Sequence, residues 1–325
     1  MRIGTLEREC RVIMAPMAGI TNLPFRLLIR EFGCDLAFTE MVSAMGLVRG
    51  TVKSYRYLDT APEDRPLGVQ LFGADPDVMA EAARIVAADG AALIDINMGC
   101  PVKKVVRTGS GAALMKEPGR IAAILRAVRQ AITIPLTVKI RSGWNRSTVN
   151  APDIAAIAED CGVDAVIVHG RTAEQGYAGQ ADWKIIGAVK SRVRVPVVGN
   201  GDLRSGEDAL RMRDASGCDA FMVGRGALGS PWIFREIIAA LDGADTVAAP
   251  SLPERRAIIE DHMNRELAYA GEKIGYRSFR KHLLWYTRGL RGGARFRHAA
   301  AALTSPDQMW ETFDLLLADE GMSLK

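Results

Sequence analysis

Seven short lead-ins, of two kinds, punctuate the first two thirds of this chain and decide what it can fold into. Gly33-Cys34-Asp35-Leu36, Gly90-Ala91-Ala92-Leu93, Gly162-Val163-Asp164-Ala165 and Gly217-Cys218-Asp219-Ala220 each precede an apolar run. Glycine there suits the left-handed residue that ends a helix before the chain turns into a strand. Arg65-Pro66-Leu67, Ile134-Pro135-Leu136 and Val195-Pro196-Val197 open the other runs, and proline as a strand's first residue removes no ladder bond. The two kinds alternate. With Val12–Met14 they predict eight strands, near 12–14, 36–38, 67–72, 93–97, 136–140, 165–169, 197–200 and 220–224. Helical periodicity lies between them, for example over 77–88, 118–130, 153–160 and 205–215. Strand–helix alternation means a parallel sheet, and eight equivalent units close into an α/β (β/α)8 TIM barrel. A doubly wound sheet would not need eight.

The chain has 325 residues, more than the roughly 150 of one standard domain. The stretch 241–252, LDGADTVAAPSL, is small and non-periodic, and helical pattern resumes after Pro253. The expected organisation is a catalytic barrel over 1–242, a linker over 243–252 and a small all-helical C-terminal domain over 253–325. Apolar residues at 48% and charged residues at 25% are those of a soluble globular protein. No apolar run approaches the ~18 residues of a membrane span. The first residues, MRIGTLERECRV, carry acids and no apolar core of a signal peptide. Five widely spaced cysteines without a CxxC support neither a disulfide framework nor a zinc ribbon. A reducing cytoplasm is the expected compartment, with no membrane partner and a monomeric chain.

Active sites of such barrels form at the C-terminal strand ends, and those ends are polar here. They hold Pro16, Met17 and Ala18 after the first strand, Glu40 after the second, Gln70 in the third and Asp95 and Asn97 in the fourth. Lys139, His169 and Asn200 follow in the fifth, sixth and seventh. A lysine inside a buried strand needs an anionic partner. Asp95 or Glu40 would serve, but convergence with Gln70, His169 and Asn200 favours a cofactor anion. Gly224-Arg225-Gly226-Ala227-Leu228-Gly229 formally matches GxGxxG, without the further strand and acidic ribose ligand that a Rossmann site requires. After the eighth strand it suits a barrel phosphate site at a helix N-terminus, completed by Gly199-Asn200-Gly201-Asp202. Cys100 lies on a loop at the mouth, followed by Lys103, Lys104 and Arg107. Such cations favour a thiolate or a polyanionic ligand, and a mobile loop suits an acid that meets a substrate. His262, His282 and His298 have no metal-ligand spacing and read as surface or core, so no metal is expected.

Charge is unevenly placed. Residues 273–297 carry +8 and no acid, although the whole chain carries +4, so the remainder is acidic. Arg277, Arg280 and Lys281 interleave with Tyr276, Phe279, Trp285 and Tyr286. A solvated helix face is the ordinary reading of such a run. The absence of acid over that length favours RNA, through phosphate contacts rather than stacking.

Together, Ala15-Pro16-Met17-Ala18-Gly19, Asp95-Ile96-Asn97-Met98-Gly99-Cys100-Pro101, Val138-Lys139-Ile140-Arg141, His169-Gly170-Arg171-Thr172 and Val198-Gly199-Asn200-Gly201-Asp202 resemble the flavin-dependent tRNA-dihydrouridine synthases. His169–Tyr177 and Arg280–Tyr286 are most similar to the bacterial B-type subfamily. The resemblance implies FMN at the barrel mouth, NADPH as reductant, and reduction of the uracil C5–C6 bond in tRNA. It assigns Pro16, Met17, Ala18, Gln70, Lys139, His169, Asn200, Gly201, Asp202, Gly224 and Arg225 to FMN. Cys100 is then the proton donor and Asn97 holds the uracil. Lys103, Arg141, Arg171, Arg277, Arg280 and Lys281 are its expected tRNA contacts. The target base must leave its stack to reach the flavin. Two rivals share features: a flavin barrel acting on a small molecule would not need 253–325, and a non-redox RNA binder would not need Lys139, Gln70 and His169 together.

Overall fold

The computed structural model describes residues 1–244, 247–300 and 302–319. Residues 245, 246, 301 and 320–325, within the expected linker and helical domain, lie outside the described residues. Nine strands are present among the described residues: β1 (Val12–Met14), β2 (Leu36–Phe38), β3 (Val42–Ser43), β4 (Leu67–Phe72), β5 (Leu93–Met98), β6 (Leu136–Arg141), β7 (Ala165–His169), β8 (Val197–Asn200) and β9 (Ala220–Val223). All pairings between them are parallel, and β1 pairs with both β2 and β9. The β2–β4 pairing completes a closed eight-stranded barrel. The ninth, β3, is a two-residue strand against the end of β4. No lead-in marks it, which is why the sequence does not announce it.

The expected lead-ins do their work. Gly33, Gly90, Gly162 and Gly217 have φ of 90°, 89°, 81° and 61°, the left-handed backbone that glycine adopts without steric cost. The barrel helices run over Pro76–Ala88, Pro118–Ala131, Ala151–Asp160 and Gly206–Ser216, within two residues of the bounds read from periodicity. Inside the barrel, Ile13, Leu36, Phe38, Leu93, Ile167, Val198 and Met222 form one apolar cluster. Ile3, Leu6 and Cys10 of the N-terminal segment join it.

Helices Leu252–Ala270, Glu272–Tyr286, Gly293–Ala300 and Pro306–Asp319 follow the barrel. The first opens with a capping box of Ser251 and Glu254, each satisfying a backbone N–H at the helix start. These helices do not form a detached core. Ile259, Met263, Phe279 and Phe313 belong to the same cluster as Phe25 and Ile29 of the barrel helix Leu23–Glu31. Asn22 Nδ2 donates to Glu266 Oε1 at 2.7 Å, and Tyr269 donates to Asp59 Oδ2 at 2.6 Å. No helix among the described residues is long and apolar enough to cross a membrane.

Candidate active site

Strand alternation builds the site. Side chains two apart on a strand share a face, and each inward row carries polar groups at the strand's C-terminal end. On β5 the row is Leu93, Asp95, Asn97; on β6 it is Thr137, Lys139, Arg141; on β7, Ala165, Ile167, His169; on β8, Val198, Asn200. The register sets Gln70 beside Asp95, Asn97 beside Lys139, and His169 beside both Arg141 and Asn200. The expected convergence at the rim is therefore present.

A buried hydrogen-bond chain crosses this rim. Thr137 donates to Asp95 Oδ1 and Gln70 Nε2 to Asp95 Oδ2, both at 2.7 Å. Asn97 Nδ2 donates to Gln70 Oε1 at 2.7 Å. Asn97 Oδ1 accepts from the backbone N–H of Gly99 at 3.1 Å and of Cys100 at 2.9 Å. Burial pushes the Asp95 carboxyl up to about 6, against the pull of the Gln70 and Thr137 bonds and the Lys139 charge. Thr137 is absent from the residues that the motifs point to. Its place one side-chain repeat before Lys139 is the signal that could have found it.

Lys139 does not pair with Asp95 or Glu40. Its Nζ donates to Asn200 Oδ1 at 2.9 Å, while Asn200 Nδ2 donates to Met222 O at 2.7 Å. Burial first and Arg141 second lower the Lys139 amine to about 8, which leaves it mostly charged at neutral pH. His169 Nδ1 accepts from the Arg171 N–H at 3.1 Å, so Nε2 carries the proton. Burial, with the charges of Lys139 and Arg141, holds this imidazole neutral, well below its ordinary pKa.

Cys100 is half-buried and free. Burial pushes its thiol up, outweighing the Val102 backbone bond and the cations Arg141 and Lys139. The expectation that Lys103, Lys104 and Arg107 favour a thiolate is corrected here: these three are exposed, and the sulfur remains protonated. Arg141, read as a tRNA contact, is buried. Its guanidinium donates to Gly99 O, Thr172 O and Gly176 O at 2.8, 2.8 and 2.9 Å. It staples the Cys100 loop to the loop after β7.

Arg171 is also interior. It pairs with Asp202 Oδ2 at 2.8 Å and donates to Ala178 O and Gly179 O. Arg171 Nη1 and Asp202 Oδ1 are buried without a hydrogen-bond partner. Asp202 has a φ of 59°, unusual for a non-glycine residue and a mark of local constraint. Arg225, exposed, lies over the Tyr177 ring at 4.2 Å, and its Nη2 is 3.9 Å from Asp202 Oδ1. After β9 the chain makes a single-turn 3-10 helix, Arg225–Ala227, where a helix N-terminus is expected for a phosphate. The glycine there is still required: a Cβ on Gly226 would come 2.1 Å from Leu203 O.

Pro16 and Met17 are half-buried, and Ala18 and Gly19 are exposed on the loop after β1. Gly19 N–H donates to Glu40, and Lys281 donates to Gly19 O. Lys281 of the C-terminal helices thus reaches the barrel mouth. Arg277 is exposed on the same helix and Arg280 half-exposed, whereas Tyr276, Phe279 and Tyr286 are buried. Three of the four aromatics that interleave with these cations are core residues, and Trp285 is half-buried.

The description of the matching family model is Dihydrouridine synthase (Dus), and it covers residues 13–319. The chain belongs to the dihydrouridine synthase family. As a Dus protein it is an enzyme and an oxidoreductase. It is similar to tRNA-dihydrouridine synthase B of Xanthomonas axonopodis pv. citri, with 42% identity over 98% of this chain and 97% of the relative. The corresponding protein of Pasteurella multocida is 40% identical over 100% and 99%. A probable tRNA-dihydrouridine synthase of Rickettsia conorii is 42% identical over 94% and 93%. The B-type Dus resemblance read from the motifs agrees with the names of the first two.

Proposed function

We propose that this chain reduces the C5–C6 bond of uridines in tRNA to 5,6-dihydrouridine, with FMN in the barrel mouth and NAD(P)H as reductant. Full-length likeness to proteins named tRNA-dihydrouridine synthase B supports the substrate. The rim fits an anionic, hydroxyl-bearing cofactor. It offers a charged Lys139, a neutral His169 donor, and Asp202 Oδ1 and Arg171 Nη1 without hydrogen-bond partners. Gln70, Lys139, His169 and Asn200 would hold the ring system, and Gly201, Asp202, Gly224 and Arg225 the phosphate end. Pro16, Met17 and Ala18 would pack against the ring. When bound, FMN supplies the hydride for uracil C6 and is recharged by NAD(P)H.

The protein's own part is acid catalysis and positioning. The observation that carries the reading is the chain Thr137–Asp95–Gln70–Asn97–Cys100, which ties the backbone of the Cys100 loop to the rim that holds Lys139. Cys100 Sγ holds the proton destined for C5. Asn97 spends its amide on Gln70 and on the Cys100 loop, so it serves the base chiefly by placing that thiol. Lys139 stabilises negative charge that develops beside it. The helices from 252 onward give tRNA a cationic face. The reaction belongs in the cytoplasm, where we take the chain to act as a monomer.

The test is direct. Purified protein should absorb in the flavin bands and release FMN on denaturation. With NADPH it should restore dihydrouridine to tRNA from a strain lacking the gene. A protein that is colourless and takes up no FMN, or deletion-strain tRNA with unchanged dihydrouridine, overturns the reading.

A further inference from the structure

We propose that His262, Glu266 and His282 bind one divalent transition-metal cation, Zn²⁺ above others, in the seam between the barrel and the C-terminal helices. One ligand atom from each lies within 4.8 Å of the other two. All three side chains are fully buried or nearly so. His262 Nε2, both His282 ring nitrogens and Glu266 Oε2 have no hydrogen-bond partner. Burying an unsatisfied polar group is costly, and several orphans facing one another call for a shared partner. The atoms that would complete such a site are already engaged on their outer sides. His262 Nδ1 is 3.1 Å from Tyr286 Oη, and Glu266 Oε1 accepts from Asn22 at 2.7 Å. Outer partners of this kind orient metal ligands and fix the imidazole tautomer.

The donor set is chemically suited. Two imidazoles and a carboxylate are a three-ligand zinc set, and a water would fill the fourth position. Metal bonds of about 2.0–2.2 Å would draw the side chains inward by roughly an ångström. The neighbouring Lys281 opposes a cation, but it is turned to Gly19 O and faces Glu40. A cleft of about 220 Å³, lined by Asn22, Glu40 and Glu266 among others, lies on the carboxylate side of the cluster. His262 and Glu266 stand one turn apart on one helix, while His282 comes from the next, so linear spacing hides the set. The ion would pin both helices beside Phe25, whose ring packs against both imidazoles at 5.4 Å from each. This site is independent of the chemistry at the barrel mouth.

Metal analysis of the full-length protein, after dialysis against Zn²⁺ and then metal-free buffer, should give one zinc per chain. Co²⁺ in its place should give the visible bands of a four-coordinate nitrogen–oxygen site. Tyr286→Phe should retain the metal about 10–100-fold more weakly. His262→Gln and Glu266→Gln should lose stoichiometric binding. Wild-type protein that retains no zinc and shows no cobalt spectrum overturns the proposal, whatever the variants do. So does binding that is unchanged in both ligand variants.

Discussion

A thiol that must surrender a proton at neutral pH has to hold one there, and burial keeps Cys100 in that state. Replacement by alanine removes the acid but none of the groups around Lys139. Cys100→Ala should therefore keep its flavin and its reduction by NADPH while dihydrouridine formation falls by about 10²–10⁴-fold, the usual contribution of a positioned acid. Single-turnover reaction of the reduced variant with tRNA separates the two steps; near-normal turnover would remove Cys100 from the chemistry. The sequence made this residue visible because it stands on a Gly/Pro-flanked loop past a strand end. It hid what holds the residue in place. Arg141 and Arg171 look like surface cations in a one-dimensional reading. The structure shows Arg141 donating to Gly99 O of a loop far along the chain and Arg171 pairing with the distant Asp202, roles that depend on which loops the barrel brings together.

At the level of strands and loops, periodicity and lead-in chemistry made the eight barrel strands legible, because local backbone preference and burial agree there. What escaped is set by neighbours. The strand β3 exists only because Val42 and Ser43 lie against Leu71 and Phe72. The loop after β9 is a 3-10 turn that lies close against the loop after β8. That contact leaves no room at Gly226, where a methyl group would meet the Leu203 carbonyl. Gly226→Ala should destabilise the flavin-free protein by about 1–3 kcal/mol, the range of overpacking, and weaken FMN binding as well. Thermal unfolding of the apoprotein checks it; an unchanged midpoint would mean that the two loops part freely.

For the molecule as a whole, the cationic stretch divides in two. Lys281 and Arg297 are engaged with backbone carbonyls of Gly19 and Thr287, while Lys273, Arg277, Arg288 and Arg291 are exposed. Those four replaced by alanine should weaken tRNA binding and flatten its salt dependence, by about one unit of slope for each phosphate that is no longer neutralised. FMN content should not change. Affinity measured against salt concentration decides: an unaltered slope would show that this face does not meet tRNA.

The joint between barrel and appended helices has a consequence for how this chain can be taken apart. A methyl group on Gly229 would come 2.4 Å from the Trp285 carbonyl, Phe25 packs against both His262 and His282, and Lys281 holds the rim at Gly19. Barrels are commonly treated as cassettes whose attachments can be exchanged to redirect an activity. Here the attachment forms part of the cassette's wall and one post of its doorway. A graft that replaced it would have to reproduce all three of those junctions before it could present a different RNA to the same chemistry.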